Sequence, residues 1–304
     1  MKLNLDCIAC FQRQALQAVR FISDNEELHE KVLREVTKNL LESDWNLAPP
    51  ELAHTVHRIV RGVTNEKDPY KKVKKESNDL VLKMYPALKT KVEESKDPLR
   101  TAVRLAIAGN IIDFGPLQEF NLEKAIKEVL KKKFAIDDYE KLKEKLKDAK
   151  ALLFFTDNSG EIGFDKLLVE TFLKARRFEK ISFVVKGGPI INDATLEDAA
   201  YVGLCDLPNV EFLKLSNGEA ETGPERNSKE VKRWIRKHDL VISKGQGNYE
   251  GLSGNDGLFF LLMAKCPVFS SDLGVEVGDI VLKYKTVKLD DFTTDVAPLA
   301  RAEK

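Results

Sequence analysis

Residues 151–161 read ALLFFTDNSGE, an apolar run from Ala151 to Thr156 that stops at Asp157-Asn158-Ser159-Gly160-Glu161. An apolar run without alternation, closed by turn-forming residues, reads as a strand buried on both faces. The stretch that follows, Gly163 to Arg177, has its apolar residues at helical spacing. A buried strand feeding a helix is the unit of a parallel α/β sheet. The pattern recurs downstream: Ile181 to Val185, Val210 to Leu213, Leu240 to Ser243 and Pro267 to Ser270 read as further short strands. Glu225 to Lys237 and Gly251 to Ala264 read as helices between them. The second half is therefore expected to be a doubly wound, mostly parallel, Rossmann-like α/β/α sheet.

Upstream the pattern is different. Asp6 is a candidate N-cap for a helix carrying Phe11, Ala15 and Ala18, and Asn25 to Glu42 repeats the helical period. Pro49-Pro50 opens a third helix that Gly62 would stop, and Asp68-Pro69 and Asp97-Pro98 read as N-cap and N1 pairs. Asn121 to Lys133 and Asp137 to Lys147 continue as charged helices, with no strand signal before residue 150. The expected organisation is an all-helical module over 1–148 and an α/β/α metal- and phosphate-binding domain over 149–304.

Composition narrows the function classes. The chain has 304 residues with 49 Lys+Arg against 49 Asp+Glu, so its formal charge is zero. That balance argues against nucleic-acid binding through a global basic field, and the runs Lys71 to Lys75 and Lys131 to Lys133 read as solvated helix faces. No apolar run approaches the roughly 18 residues of a membrane helix, and the N-terminal MKLNLDCIACFQR lacks the apolar core of a signal peptide. A cytoplasmic protein with no membrane partner is the expectation.

In open α/β sheets ligands bind beyond the carboxyl ends of the strands. Here those ends carry Thr156-Asp157-Asn158-Ser159-Gly160-Glu161, Lys186-Gly187-Gly188 with Asn192-Asp193, and Lys244-Gly245-Gln246-Gly247-Asn248-Tyr249-Glu250. Asp157, Asn158 and Asp193 are hard oxygen donors suited to a divalent metal such as Mg²⁺ or Mn²⁺, with phosphate and water completing its shell. Lys186 and Lys244, each followed by glycine, would offset phosphoryl charge. Asp157, Asp193 and Lys244 are the candidate catalytic groups. Glu161 is a candidate base or substrate contact, against the plainer reading of a helix-dipole partner. The phosphate-binding loop GxxxxGK[ST] is absent. The first strand-to-helix turn holds acid, amide and serine where a nicotinamide or S-adenosylmethionine site wants glycines. A methyltransferase remains the alternative enzyme class.

With these motifs in view, the chain resembles the metal-dependent damage-control phosphatases, a family long catalogued as a domain of unknown function. The matching pieces are Cys7-x-x-Cys10, Asp68 to Tyr70, Ala108 to Asp113, 156–161, 186–195, 243–252 and 272–279. The N-terminal CxxC is similar to that of a microbial subfamily. The resemblance implies a metal-dependent phosphomonoester hydrolase of small phosphorylated metabolites, sugar phosphates, nucleotides or damaged phosphometabolites, acting in metabolite repair. It implies a divalent Mn, Ni, Co or Mg ion on Asp157, Asn158 and Asp193. It further implies a substrate-binding segment of Lys244 with Gly245, Gln246 and Asn248, and a contribution from Asn110, with Asp113 nearby, reaching over from the helical module. Glu250 departs from relatives that have a basic residue there.

Cys7 and Cys10 start a helix, whose dipole is expected to lower a thiol pKa. Three readings stand: a redox pair, part of a second metal site that His54 and His57 could complete, or small core residues. A non-catalytic metal or redox sensor built on this pair is the third functional class.

Overall fold

The computed structural model describes residues 3–110 and 119–286. Six helices come first: α1 (Leu5–Arg20), α2 (Glu26–Glu42), α3 (Pro49–Thr64), α4 (Lys71–Glu93), α5 (Pro98–Gly109) and α6 (Glu119–Lys131). Then follow β1 (Phe134–Asp137), α7 (Tyr139–Asp148), β2 (Ala151–Phe155), α8 (Glu161–Ala175), β3 (Lys180–Lys186), α9 (Leu196–Tyr201) and β4 (Val210–Leu215). The chain continues through α10 (Lys229–Arg236), β5 (Leu240–Lys244), α11 (Gln246–Leu252), β6 (Leu258–Met263), α12 (Pro267–Leu273) and β7 (Ile280–Tyr284).

The strands form one sheet in the order β1-β7-β6-β5-β2-β3-β4, parallel except where β6 meets β7. From β2 the chain winds outward through β3 and β4, then returns to β5 on the other side of β2. The winding reverses between β2 and β5, which opens a crevice at their carboxyl ends. Period-two alternation sends Leu152 and Phe154 into one core and Leu153 and Phe155 into the other, so both faces of β2 are apolar. Helices α4 to α8 share the first core with the sheet, α10 to α12 cover the second, and α1 to α3 form a third cluster of their own. Ile191, in the loop after β3, packs against that third cluster.

Several expectations are corrected. Asn4, not Asp6, caps α1, its side chain accepting the Asp6 N–H at 3.0 Å. A strand does precede residue 150: β1 alternates in burial and pairs with β7 at the sheet edge. Residues 267–270 are helical, because Pro267 takes the first position of α12 behind Cys266 as N-cap. The strand expected there is β6, inside the stretch read as helix, where both cores demand continuous apolar residues. Lys74 is not solvated; it is buried in ion pairs with Asp198 at 2.8 Å and Asp68 at 3.6 Å. Among the described residues no helix is long and apolar enough to cross a membrane.

Candidate active site

Two loops are zipped together at the crevice. Ala194 donates its N–H to the Asp157 carbonyl at 2.8 Å, Ser159 donates to the Asn192 carbonyl at 2.8 Å, and Asn158 and Asp193 form a bridge. These bonds bring Asp193 alongside Asp157 and Asn158. The loop carrying Asp193 holds Ile191 at φ 45°, a left-handed conformation costly for a β-branched residue. On the other flank β5 delivers Gly245 at φ 78°, where an added Cβ would lie 1.9 Å from Asp157 Oδ2.

Asp157 is held by amides. Asn110, at the end of α5, donates Nδ2 to Asp157 Oδ2 at 2.9 Å and to Glu161 Oε2 at 2.9 Å. Asn158 Nδ2 makes the same pair of bonds at 2.9 and 3.0 Å. Burial, then the nearby Glu161 and Asp193 carboxylates, raise the Asp157 pKa well above the usual carboxylate range. Such crowding of acids calls for a counter-charge.

Lys186 and Lys244, paired from sequence as phosphate cations, sit in unlike environments. Lys244 is fully buried and donates to Glu161 Oε1 at 2.5 Å, Asp165 Oδ1 at 2.7 Å and the Ala106 carbonyl at 2.8 Å. An ammonium has three N–H groups, so none remains for a phosphate. Burial alone would lower its pKa, but Asp165 and Glu161 hold it above the ordinary lysine value. Burial pushes Asp165 itself up to about 7 against the pull of Lys244. Glu161 is equally committed: one oxygen accepts from Lys244 and the other from Asn110 and Asn158. It is an internal strut beneath Asp157 and is not open to solvent as a base.

Lys186 keeps donor capacity. It donates to the Ser216 carbonyl at 3.0 Å and lies 3.6 Å from Asp193 Oδ2. Burial, then the positive charge of Arg226, pushes it down to about 8.

In the 245–250 segment, Asn248 donates to the carbonyls of Thr156 at 2.8 Å and Lys244 at 2.9 Å, tying β2 to β5. Gln246 donates to Glu250 Oε1 at 2.9 Å and Cys266 Sγ at 3.3 Å, while its Oε1 is buried with no hydrogen-bond partner. Asp113 lies outside the described residues.

Three contributors escaped the sequence reading. Asn78 of α4 accepts the Gly160 N–H at 2.6 Å and donates to Asp198 at 2.9 Å, pinning the turn after Asp157. Asp165 carried a signal, an acid one helical turn after Glu161 in an otherwise apolar stretch. Arg226, whose Nε donates to Asn248 Oδ1 at 2.9 Å, carried none.

Away from this edge, the cysteines are unpaired, and Cys7 and Cys10 are half-buried. The Cys7 thiol is pushed up by burial, with Glu250, Cys10 and Cys266 adding to it, opposite to the lowering expected from a helix dipole. Among the described residues no cluster of three or more His, Cys, Asp or Glu side chains is arranged to hold a metal, so His54 and His57 do not complete a set with the cysteines. His57 is buried, not on a solvated face, and its Nε2 lies 3.3 Å from Gln14 Oε1.

Residues 3–281 match the family model described as the damage-control phosphatase ARMT1-like domain. The chain is 36% identical over 295 residues to a damage-control phosphatase of Archaeoglobus fulgidus, covering 93% of this chain and 99% of that one. It is 34% identical over 296 residues to one of Pyrococcus horikoshii, covering 95% and 100%. A crystal structure of a DUF89 family protein from Pyrococcus horikoshii superposes with a TM-score of 0.82 at 31% identity, over 94% of this chain and 100% of that one. The chain belongs to the damage-control phosphatase family. This membership does not favour the methyltransferase and sensor alternatives.

Proposed function

We propose that the protein is a metal-dependent phosphomonoesterase of small phosphorylated metabolites, with its centre at Asp157, Asn158 and Asp193. The observation that carries this reading is the bridge that pairs Asn158 with Asp193 at the β2–β5 edge, with the Asn158 amide on the Asp157 carboxylate and Lys186 3.6 Å from Asp193 Oδ2. The donor set fits a divalent cation on its chemistry. Two carboxylates and an amide converge, the Asn158 Nδ2 is spent on Asp157 and Glu161, and its carbonyl oxygen is left for a ligand. Asp157, Asn158 and Asp193 would hold the ion, which when bound supplies a Lewis acid and counter-charge for a phosphoryl group.

The protein's own groups do the rest. Lys186 has an N–H free to meet a phosphate oxygen beside Asp193 and to stabilise charge that grows on it. Asn110 fixes the Asp157 carboxylate from the helical side. Lys244, through Glu161, sets the amides of Asn110 and Asn158 and so acts on the centre by positioning. The test is phosphate release from a panel of phosphate esters after chelation, with Mg²⁺, Mn²⁺, Co²⁺ or Ni²⁺ added back. Release restored by added metal supports the reading; no release under any metal overturns it.

A further inference from the structure

Of the two buried cations at this edge, Lys186 is paired with Asp193 at 3.6 Å, and Arg226 is short of the anion that burial ordinarily requires. Arg226, in the segment before α10, is 8% exposed, and a charge so buried is as a rule paired. Its Nε bonds the neutral Asn248. Among the described residues its two Nη groups have no hydrogen-bond partner, and no carboxylate lies within 4.0 Å of it. Glu250, whose carboxylate feels Arg226, is engaged by Gln246.

The guanidinium is also aimed. An added Cβ at Gly251 would lie 2.4 Å from Arg226 Cδ, and one at Gly247 would lie 4.0 Å from Nη2. The stem therefore crosses α11 at Gly251 and carries the fork back towards Gly247. The second cation, Lys186, is close enough that Arg226 is the main charge opposing its protonation. Half-buried His54 stays neutral, its pKa lowered to about 2 by desolvation first and then by Lys186 and Arg226.

We propose that Arg226 forms a second anion subsite beside Lys186 and the Asp157–Asn158–Asp193 centre, and that the preferred substrates are phosphomonoesters carrying a second anionic group, a carboxylate or another phosphate. The inference rests on the phosphatase reading. Lys186, beside Asp193, faces the phosphate to be removed. Arg226, farther along α11, presents a planar two-donor fork that matches a carboxylate or phosphate, which a lysine in its place would not.

The test compares matched esters on the metal-loaded enzyme. 3-Phosphoglycerate against glycerol 3-phosphate isolates a carboxylate; fructose 1,6-bisphosphate against fructose 6-phosphate isolates a second phosphate. In wild type kcat/KM is higher for the doubly anionic member of at least one pair, by about tenfold or more, the worth of one charge-assisted bidentate contact. The pair that discriminates identifies the group. Arg226→Gln abolishes the preference, with the larger loss on the doubly anionic ester and carried by KM; Arg226→Lys recovers part of it. Equal kcat/KM within both pairs in wild type, or a proportionate loss on both members in Arg226→Gln, overturns the proposal. Calorimetry with phosphonate analogues of the same esters separates this from the underlying reading. Turnover of no ester sinks the phosphatase reading, whereas the subsite stands if wild type binds the doubly anionic analogue more tightly and Arg226→Gln does not, and falls if wild type binds both equally.

Discussion

Gly245 and Asp157 approach so closely that no other residue fits: a β-carbon at Gly245 would lie 1.9 Å from the Asp157 Oδ2 atom. The carboxylate cannot swing away cheaply, because Asn110 and Asn158 both hold that oxygen. Gly245 is also at φ 78° and ψ 164°, a region adopted almost only by glycine, where a side chain adds roughly 1–3 kcal/mol of strain. Gly245→Ala is expected to lower kcat about 100-fold by displacing Asp157, with a stability loss of only about 1–3 kcal/mol. Phosphate-release kinetics beside a denaturant melt check it; unchanged kcat would mean the two loops are not held in register.

Lys244 is expected to behave as a structural cation. Lys244→Met leaves Glu161 and Asp165 without their counter-charge in a dry interior, and removing one partner of a buried pair costs about 3–5 kcal/mol. Chemical denaturation should show a loss of that size. A loss below about 1 kcal/mol would place the ammonium in water instead.

The helix-strand alternation of the second half was legible because a strand buried on both faces needs an unbroken apolar run, as in Ala151 to Phe155. The same rule hid β6: Leu258 to Met263 is as apolar as a buried helix, and periodicity does not separate the two. β1 was hidden for the opposite reason, a four-residue edge strand between two charged helices. At the candidate site, the gathering of Asp157, Asn158, Asp193 and Lys186 at one sheet edge was readable from their places at strand ends. The commitment of Lys244 to Glu161 and Asp165, and the unpaired fork of Arg226, depend on which elements meet across the sheet, and spacing along the chain carries no trace of that.

His57 makes an acid-sensitivity prediction. Burial, with Arg61 nearby, lowers its pKa to about 3 from an unfolded value near 6.5. Its folded pKa is depressed, so the unfolded chain binds the proton first and stability falls as pH drops from about 6.5 towards 3, at up to about 1.4 kcal/mol per pH unit. His57→Gln, which cannot titrate, should flatten that limb in melts taken from pH 7 to 4. An identical slope in variant and wild type would assign the acid limb to other groups.

On the proposed reading, Lys186 is expected to set the basic side of the activity profile. With its pKa down at about 8, the ammonium that meets the phosphate is lost as pH rises through that value. kcat/KM should therefore fall above about pH 8 in wild type and hold to higher pH in Lys186→Arg, whose side chain stays charged. A wild-type profile flat to pH 10 would remove Lys186 from phosphate binding.

The central claim is that Asp157 anchors a metal-supported phosphatase centre. It is tested most directly by measuring phosphate release from phosphate esters in wild type and Asp157→Ala, each stripped with chelator and titrated with Mn²⁺ or Mg²⁺, with circular dichroism confirming the fold. The expected result is metal-restored release in wild type and none above background in a folded Asp157→Ala. Metal-stimulated release that persists in that variant would contradict the account.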